Sequence, residues 1–282
     1  MSTFRTLLAL YPLCSLLHSQ PTIESIATGF RFTEGPALNA EGELYFTDIP
    51  DRKIYQWNET EGIRVFREAS GKANGLMFDP SGQLHACEGE SRVLSYYDTD
   101  GHRHVLADSY NNHPFNSPND LWIDPKGGIY FTDPRYGRRD NLEQDGEHVY
   151  YLKPDRSEVI RVIDDMIRPN GLIGTSDGKY LYVADHGGKQ TFRYTIRDDG
   201  HLEQKQLFAA QASDGMSIDS KNRIYLTDAK IDIYEADGSL WQSVELPERP
   251  ANVLVASEDP LSLYVTARSS VYRISLPDTN DN

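Results

Sequence analysis

Six oxygen-bearing side chains hold the same place in a pattern that runs the length of the chain: Glu34 in EGP, Asn74 in NGL, Asn119 in NDL, Asn170 in NGL, Asp214 in DGM and Asn252 in ANV. Each stands eleven or twelve residues before the Tyr or His of a recurring apolar segment: ELYFTD, QLHACEG, GIYFTDP, YLYVADH, RIYLTDA and SLYVTAR. Asn and Asp at the start of a strand are commonly turn formers. Glu is not, and the same oxygen chemistry in all six copies asks for a shared purpose. Two carboxylates and several carboxamides, with no Cys and no His cluster, form a donor set for a hard cation. Calcium takes roughly six to eight oxygens at flexible geometry, whereas zinc favours nitrogen and sulfur. Glu34 and Asp214 balance a doubly charged ion, and the neutral carboxamides complete the shell without added repulsion. Calcium is therefore the expected cofactor, with magnesium, manganese or zinc as alternatives.

The elements that must bring these residues together are legible in the same repeats. The marker residues Tyr45, His85, Tyr130, Tyr182, Tyr225 and Tyr264 follow one another at intervals of 40, 45, 52, 43 and 39. A period of that size, with about four strand-length segments and turn residues between them, describes propeller blades. In each copy an apolar strand such as GLMFDP or DLWIDP runs through a tight turn into the Tyr-bearing strand, and a third strand such as RVLSYYD or HVYYLKP follows. No segment sustains a helical periodicity. The expectation is an all-β, six-bladed β-propeller, in which the starts of the innermost strands converge on one end of the central channel. The last repeat lacks an outer strand, and the segment IESIATGFRF, residues 23 to 32, is expected to supply it and close the ring. The recurring Thr-Asp pairs (Thr47-Asp48, Thr132-Asp133, Thr227-Asp228) read as structural, bonding the backbone of a neighbouring turn.

Composition sets the remaining bounds. A net charge of −15 with 25% charged residues argues against a nucleic-acid partner. Residues 1–20 read as a signal peptide: Arg5, then TLLALYPLCSLL, then polar HSQPT, an apolar run too short to span a bilayer. Export to the periplasm or the medium is expected, no membrane span is, and residues 21–282 form a single propeller domain. With the leader removed, Cys87 is the remaining cysteine and no intrachain disulfide forms. The sequence carries no signal for an oligomeric state.

The segments FTEGPALNAEGELYFTD, NGLMFDPSGQLHACEGESRV, FNSPNDLWIDPKGGIYFTDPRYG, RPNGL with YLYVADH, and DGMSIDSKNRIYLTD together resemble the gluconolactonase and regucalcin (senescence-marker-protein) family. The resemblance spans residues 23 to 276. It implies a six-bladed propeller with one divalent metal at the channel mouth and lactonase activity, and it implies Glu34, Asn119, Asn170 and Asp214 as the ligands. One position departs from it. Where the regucalcin branch has RFND this chain has Ser117-Pro118-Asn119-Asp120, so an arginine used there for sugar-acid recognition is replaced by Ser117.

A cation at this mouth polarises an ester carbonyl and stabilises the oxyanion formed by attacking water. Hydrolysis of a lactone, a sugar or aldonic acid lactone by resemblance, is the leading reading, with Asp214 as the residue that activates water. A carboxylate on a metal is a weaker base, which favours the ligand role over the base role. Asn74, Glu88, Arg135, Tyr136 and His186 fall on or just after strands that face the same region and are candidates for holding substrate. No GxSxG elbow is present, which disfavours a serine acyl-enzyme. The alternatives are hydrolysis of a phosphotriester or other ester at the same metal, and a propeller that binds a ligand without catalysis.

Overall fold

A computed structural model describes residues 20–140 and 142–277. The expected signal peptide lies outside the described residues. The chain builds six four-stranded antiparallel sheets and one two-stranded hairpin, Ser109–Tyr110 with His113–Pro114. The innermost strands are Thr33–Leu38, Ala73–Phe78, Leu121–Ile123, Pro169–Gly174, Met216–Ile218 and Asn252–Glu258. Five blades are continuous in sequence. The sixth takes its outer strand from the N-terminal side: Thr22–Thr28 pairs antiparallel with Ser270–Ser275, with Thr22 opposite Ser275. The closing strand thus ends at Thr28, and the remaining residues to Phe32 carry the chain into the first blade. Closure by a paired strand removes the sheet edge that an open ring would expose.

Each blade packs its apolar face on the next, so the core is a ring of interblade layers. Tyr225, Ile231 and Ile233 of the fifth blade, for example, bury against Val253, Leu263 and Val265 of the sixth. Tyr45 packs edge-on against Phe66 in its own blade and Phe78 in the next, with centroids 5.2 and 5.0 Å apart.

Where the innermost strands begin, the ladder to the second strand is interrupted. Register shifts fall between Glu34 and Ala37, Ala73 and Leu76, and Pro169 and Leu172. The freed Gly75 amide bonds sideways to the next blade instead, donating to the Asn119 oxygen at 2.8 Å; the Gly215 amide, just ahead of its strand, likewise donates to the Ala251 oxygen at 2.8 Å. A bulge that re-aims a side chain beside a site is a recurring device, and here it points the residue before each glycine at the channel mouth.

The Thr-Asp pairs tie down these turns. Asp48 accepts the amides of Arg31 and Phe32 at 2.9 and 3.1 Å, and Asp133 those of Asn116 and Ser117 at 2.8 and 2.6 Å. Thr227 donates to the Ala251 oxygen at 2.7 Å. Asp228 departs from the pattern, bonding the Arg249 guanidinium.

The ring leaves no room for a methyl group at Gly35. A Cβ there falls 2.0 Å from the Asn74 backbone oxygen, and the residue sits at φ +52°. Gly35→Ala is expected to cost about 3 kcal/mol through overpacking and backbone strain. A urea midpoint equal to that of the parent protein would show that the ring yields instead.

Candidate functional site

The six side chains named at the outset occupy one mouth of the channel. Glu34, Asn74, Asn119 and Asp214 line a single cavity of about 550 Å³. Asn170 joins them through hydrogen bonds: its Nδ2 donates to Asp214 Oδ1 at 2.7 Å and to the Tyr136 hydroxyl at 2.5 Å. Asn252 Nδ2 donates to Glu34 Oε2 at 3.0 Å, and the Gly35 amide donates to the same oxygen at 2.9 Å. Glu34 and Asn170 are almost wholly buried, at 3% and 2% exposure. The propeller therefore assembles residues more than two hundred positions apart into one polar cluster.

That cluster is electrostatically uncomfortable by itself. Burial pushes the Glu34 carboxyl well above the usual carboxylate range, and the Asp214 charge pushes it further; bonds from Gly35 and Asn252 only partly oppose this. Burial raises Asp214 too, against the Asn170 bond and the more distant charges of His186, Arg249 and Arg268. Near Asp214, Asp120 occupies the place taken by glycine in four other blades. Burial raises it to about 7, with the Leu121 and Leu172 amides pulling down and Asp214 adding repulsion. Among the described residues none of these three acids has an ion-pair partner. Buried charges are ordinarily paired or coordinate metals. An oxygen-only set of two acids flanked by carboxamides fits a divalent cation of the calcium type.

Of the side chains expected to hold substrate, Asn74, Arg135 and Tyr136 line the cavity. His186 stands outside the lining, its ring edge-on to Tyr136 at 6.2 Å. Glu88 is a correction. It is 1% exposed and turned into its own blade, where Arg103 binds it through Nε and Nη2 at 2.6 and 2.7 Å and Ser95 donates to it at 2.6 Å. The reason is register: Glu88 pairs with Ala73 as Asp48 pairs with Thr33, so it is the second blade's version of the structural strand-end acid.

The sequence reading missed Phe32, Ile49, Lys72, Glu90 and Arg92, all of which line the cavity. The repeat frame contained a signal for two of them. Phe32 and Lys72 stand two residues before Glu34 and Asn74, as Ser117 stands before Asn119.

A six-bladed propeller with acids and carboxamides gathered at one mouth of its channel defines a class of proteins whose site lies on the ring axis. Within that class, the chain belongs to the SMP-30/Gluconolactonase/LRE-like family, which matches residues 32–269. It is 28% identical to a gluconolactonase of Zymomonas mobilis over 92% of this chain and 83% of that one. It is 23% identical to a lactonase of Staphylococcus aureus, over 86% and 78%. A gluconolactonase structure from Xanthomonas campestris superposes with a TM-score of 0.86 at 27% identity, covering 92% and 91% of the two chains. A calcium-binding regucalcin of Agrobacterium tumefaciens shares the fold, with a TM-score of 0.76 at 18% identity over 92% and 94%.

The raised carboxyls make cation binding and protonation competitors. A carboxyl with a raised pKa keeps its proton to higher pH, and a bound cation favours the ionised form, so loading expels protons and affinity rises with pH. Calcium titrations by calorimetry above about pH 5, in buffers of different ionisation heat, are expected to show net proton release that shrinks in Glu34→Gln. A heat independent of buffer would remove Glu34 and Asp214 from the cation site.

Proposed function

We propose that the protein is a divalent-cation-dependent lactonase acting on a sugar or aldonic acid lactone, with Glu34, Asn119, Asn170 and Asp214 holding the ion. One observation carries this reading: buried Glu34 and part-buried Asp214 line the same cavity, and neither has an ion-pair partner among the described residues. The likeness to gluconolactonases at 27% and 28% identity over nine-tenths of the chain supports the same substrate class.

A cation held there supplies polarisation of the ester carbonyl and charge to offset the developing oxyanion. The protein's own groups supply the rest. Asp214 has its carboxylate oriented by Asn170 at 2.7 Å, which aims it at an attacking water; burial raises its proton affinity and a bound ion would lower it, so its role as ligand comes before its role as base. Asn252 and the Gly35 amide fix Glu34 in one orientation, so the two acids do not need to reorganise as charge builds. Tyr136 is anchored by Asn170 and overlain by the Arg168 guanidinium at 5.1 Å from its ring centre, which places an aromatic wall beside the acids. Asn74, Ser117 and Arg135 present polar groups to the remainder of the cavity, where ring hydroxyls bind.

Glu34→Gln and Asp214→Asn are each expected to lower kcat/KM for glucono-δ-lactone by about 100- to 1,000-fold, the scale of losing one electrostatic contributor to an oxyanion site. Chelation of the purified protein should do the same, reversibly. The propeller itself should persist, read by circular dichroism. Full lactonase turnover in Asp214→Asn, or a chelated protein that keeps its rate, would overturn the proposal, and turnover confined to phosphotriesters would transfer the site to the other ester chemistry.

A further inference from the structure

We propose that the lactone taken by this site carries an anionic substituent, a carboxylate or a phosphate, seated against Lys72, Arg92 and Arg135 while the ring ester lies toward Glu34 and Asp214. This rests on the lactonase reading above and names its substrate class.

The cavity that contains the two acids is also lined by Lys72, Arg92 and Arg135, which stand on loops of adjacent blades. In a chain of net charge −15, three cations converging on one chamber require a cause. Their charge is only partly met. Glu90 takes two bonds from Arg52, at 2.6 and 2.7 Å, and lies 3.5 Å from Lys72 Nζ; Arg92 bonds Glu143. Arg135 donates through Nη2 to the Asn116 backbone oxygen at 2.9 Å, and its buried Nε has no partner among the described residues. The acids whose charge Arg135 feels are committed elsewhere. Asp133 accepts two amides, and Glu147 lies 2.7 Å from Arg139 and 3.7 Å from Arg168. Apart from Glu34 and Asp214, the charged residues of the cavity lining are three cations, Lys72, Arg92 and Arg135, and one acid, Glu90.

The chamber is therefore bipolar, with acids at the axis and cations toward the loops. A neutral polyhydroxy ring is fully served by carboxamides and hydroxyls such as Asn74 and Ser117. It does nothing for the charge of Arg135, whose Nε is buried without a partner among the described residues. The planar guanidinium fork matches carboxylate and phosphate oxygens, and a mono- or dianionic substituent neutralises the excess. A cavity of about 550 Å³ accommodates a six-carbon lactone with such a group. In the reaction the water oxygen bonds the carbonyl carbon and the ring C–O bond breaks. The ring oxygen takes up a proton given by the attacking water and becomes a hydroxyl, and the new carboxylic acid releases the water's other proton to solvent.

The test compares glucono-δ-lactone, its 6-phosphate and a glucarate monolactone on the full calcium-loaded chain. Both anionic lactones are expected to exceed the neutral one in kcat/KM by at least about tenfold, mainly through KM, with the advantage shrinking toward about 0.5 M salt. Arg135→Gln and Lys72→Gln should each lower the ratio of anionic to neutral turnover by about tenfold, and Arg135→Lys should recover part of it. The relative rates of the phosphate and carboxylate compounds identify the substituent. Equal kcat/KM for neutral and anionic lactones, or variants that lower both by the same factor, would overturn the inference while leaving the lactonase reading intact. If no lactone turns over, the lactonase reading fails. Calorimetry with gluconate and 6-phosphogluconate then decides the anion subsite: tighter binding of the phosphate that Arg135→Gln abolishes supports it, and equal binding removes it.

Discussion

The constraint on which the rest of the structure depends is the closeness of the innermost strands around the channel axis. A Cβ added at Gly75 would lie 2.4 Å from Asp120 Oδ1, at Gly171 2.5 Å from the Asp214 oxygen, and at Gly215 1.9 Å from Asn252 Cγ. Each is a contact with the next blade, with backbone at Gly171 and with a short side chain at Gly75 and Gly215, so the inner strands leave no room for a methyl group between them. Glycine is used where backbones must approach this closely. The consequence falls on the residue before each glycine. With its neighbour pressed against the adjoining blade and its own ladder bond given up, it has one open direction, the channel mouth. The site is thus a by-product of how tightly six blades close.

The same geometry explains why the mouth is rigid. Loops that cross from one blade to the next leave amides without ladder partners, and a buried unpaired amide is costly. The acid at the end of the second strand meets this need. Asp48, Asp133 and Asp185 each accept at least two amides from the preceding loop, and those loops carry Phe32, Ser117 and Arg168 beside the cavity. Structural acids hold the rim, and mouth acids face the solvent space between. The two kinds are chemically alike and differ only in register.

That register decides how much was legible beforehand. The blade count, the ring closure and the convergence of the six strand starts all follow from a period visible in the sequence, because propeller symmetry converts position in the repeat into position in space. Glu88 was misplaced for the same reason in reverse. Considered alone it stands near the mouth, but its place in the repeat, the Asp48 place, marks it as a strand-end acid. Asn252 shows a finer limit: it reaches the mouth, yet its carboxamide is committed to Glu34 and to the Val253 amide at 2.8 Å. Lys72 and Arg92 lie in loops whose paths depend on backbone conformations such as φ +55° at Lys72 and +59° at Arg92, which no hydrophobic pattern records. The loop of Arg135 and Tyr136 was identified from its motif. The bonds of Tyr136 to Asn170 and of Arg135 to Asn116 depend on contacts between segments 34 and 19 residues apart, respectively.

The choice of carboxamide or carboxylate at each mouth position has an electrostatic reason. Asp and Asn are interchangeable as turn formers at a strand start, so the backbone alone would accept Asp at 74, 119, 170 and 252. The channel already holds Glu34, Asp214 and Asp120, each raised by burial, and Glu34 and Asp120 are raised further by Asp214. A further acid in direct contact would keep its proton and present a hydroxyl, not an anion, at neutral pH. Carboxamides supply oxygen without that penalty and donate as well, as Asn170 does to Asp214 and Asn252 to Glu34. On the proposed reading, two acids match the charge of a divalent ion, and the carboxamides set the number of oxygens independently of charge. On that reading the cationic side of the cavity extends the same logic outward: with the axis neutralised by an ion, Lys72, Arg92 and Arg135 would outweigh Glu90 in the lining, and the polarity of the bound molecule would be read from the rim.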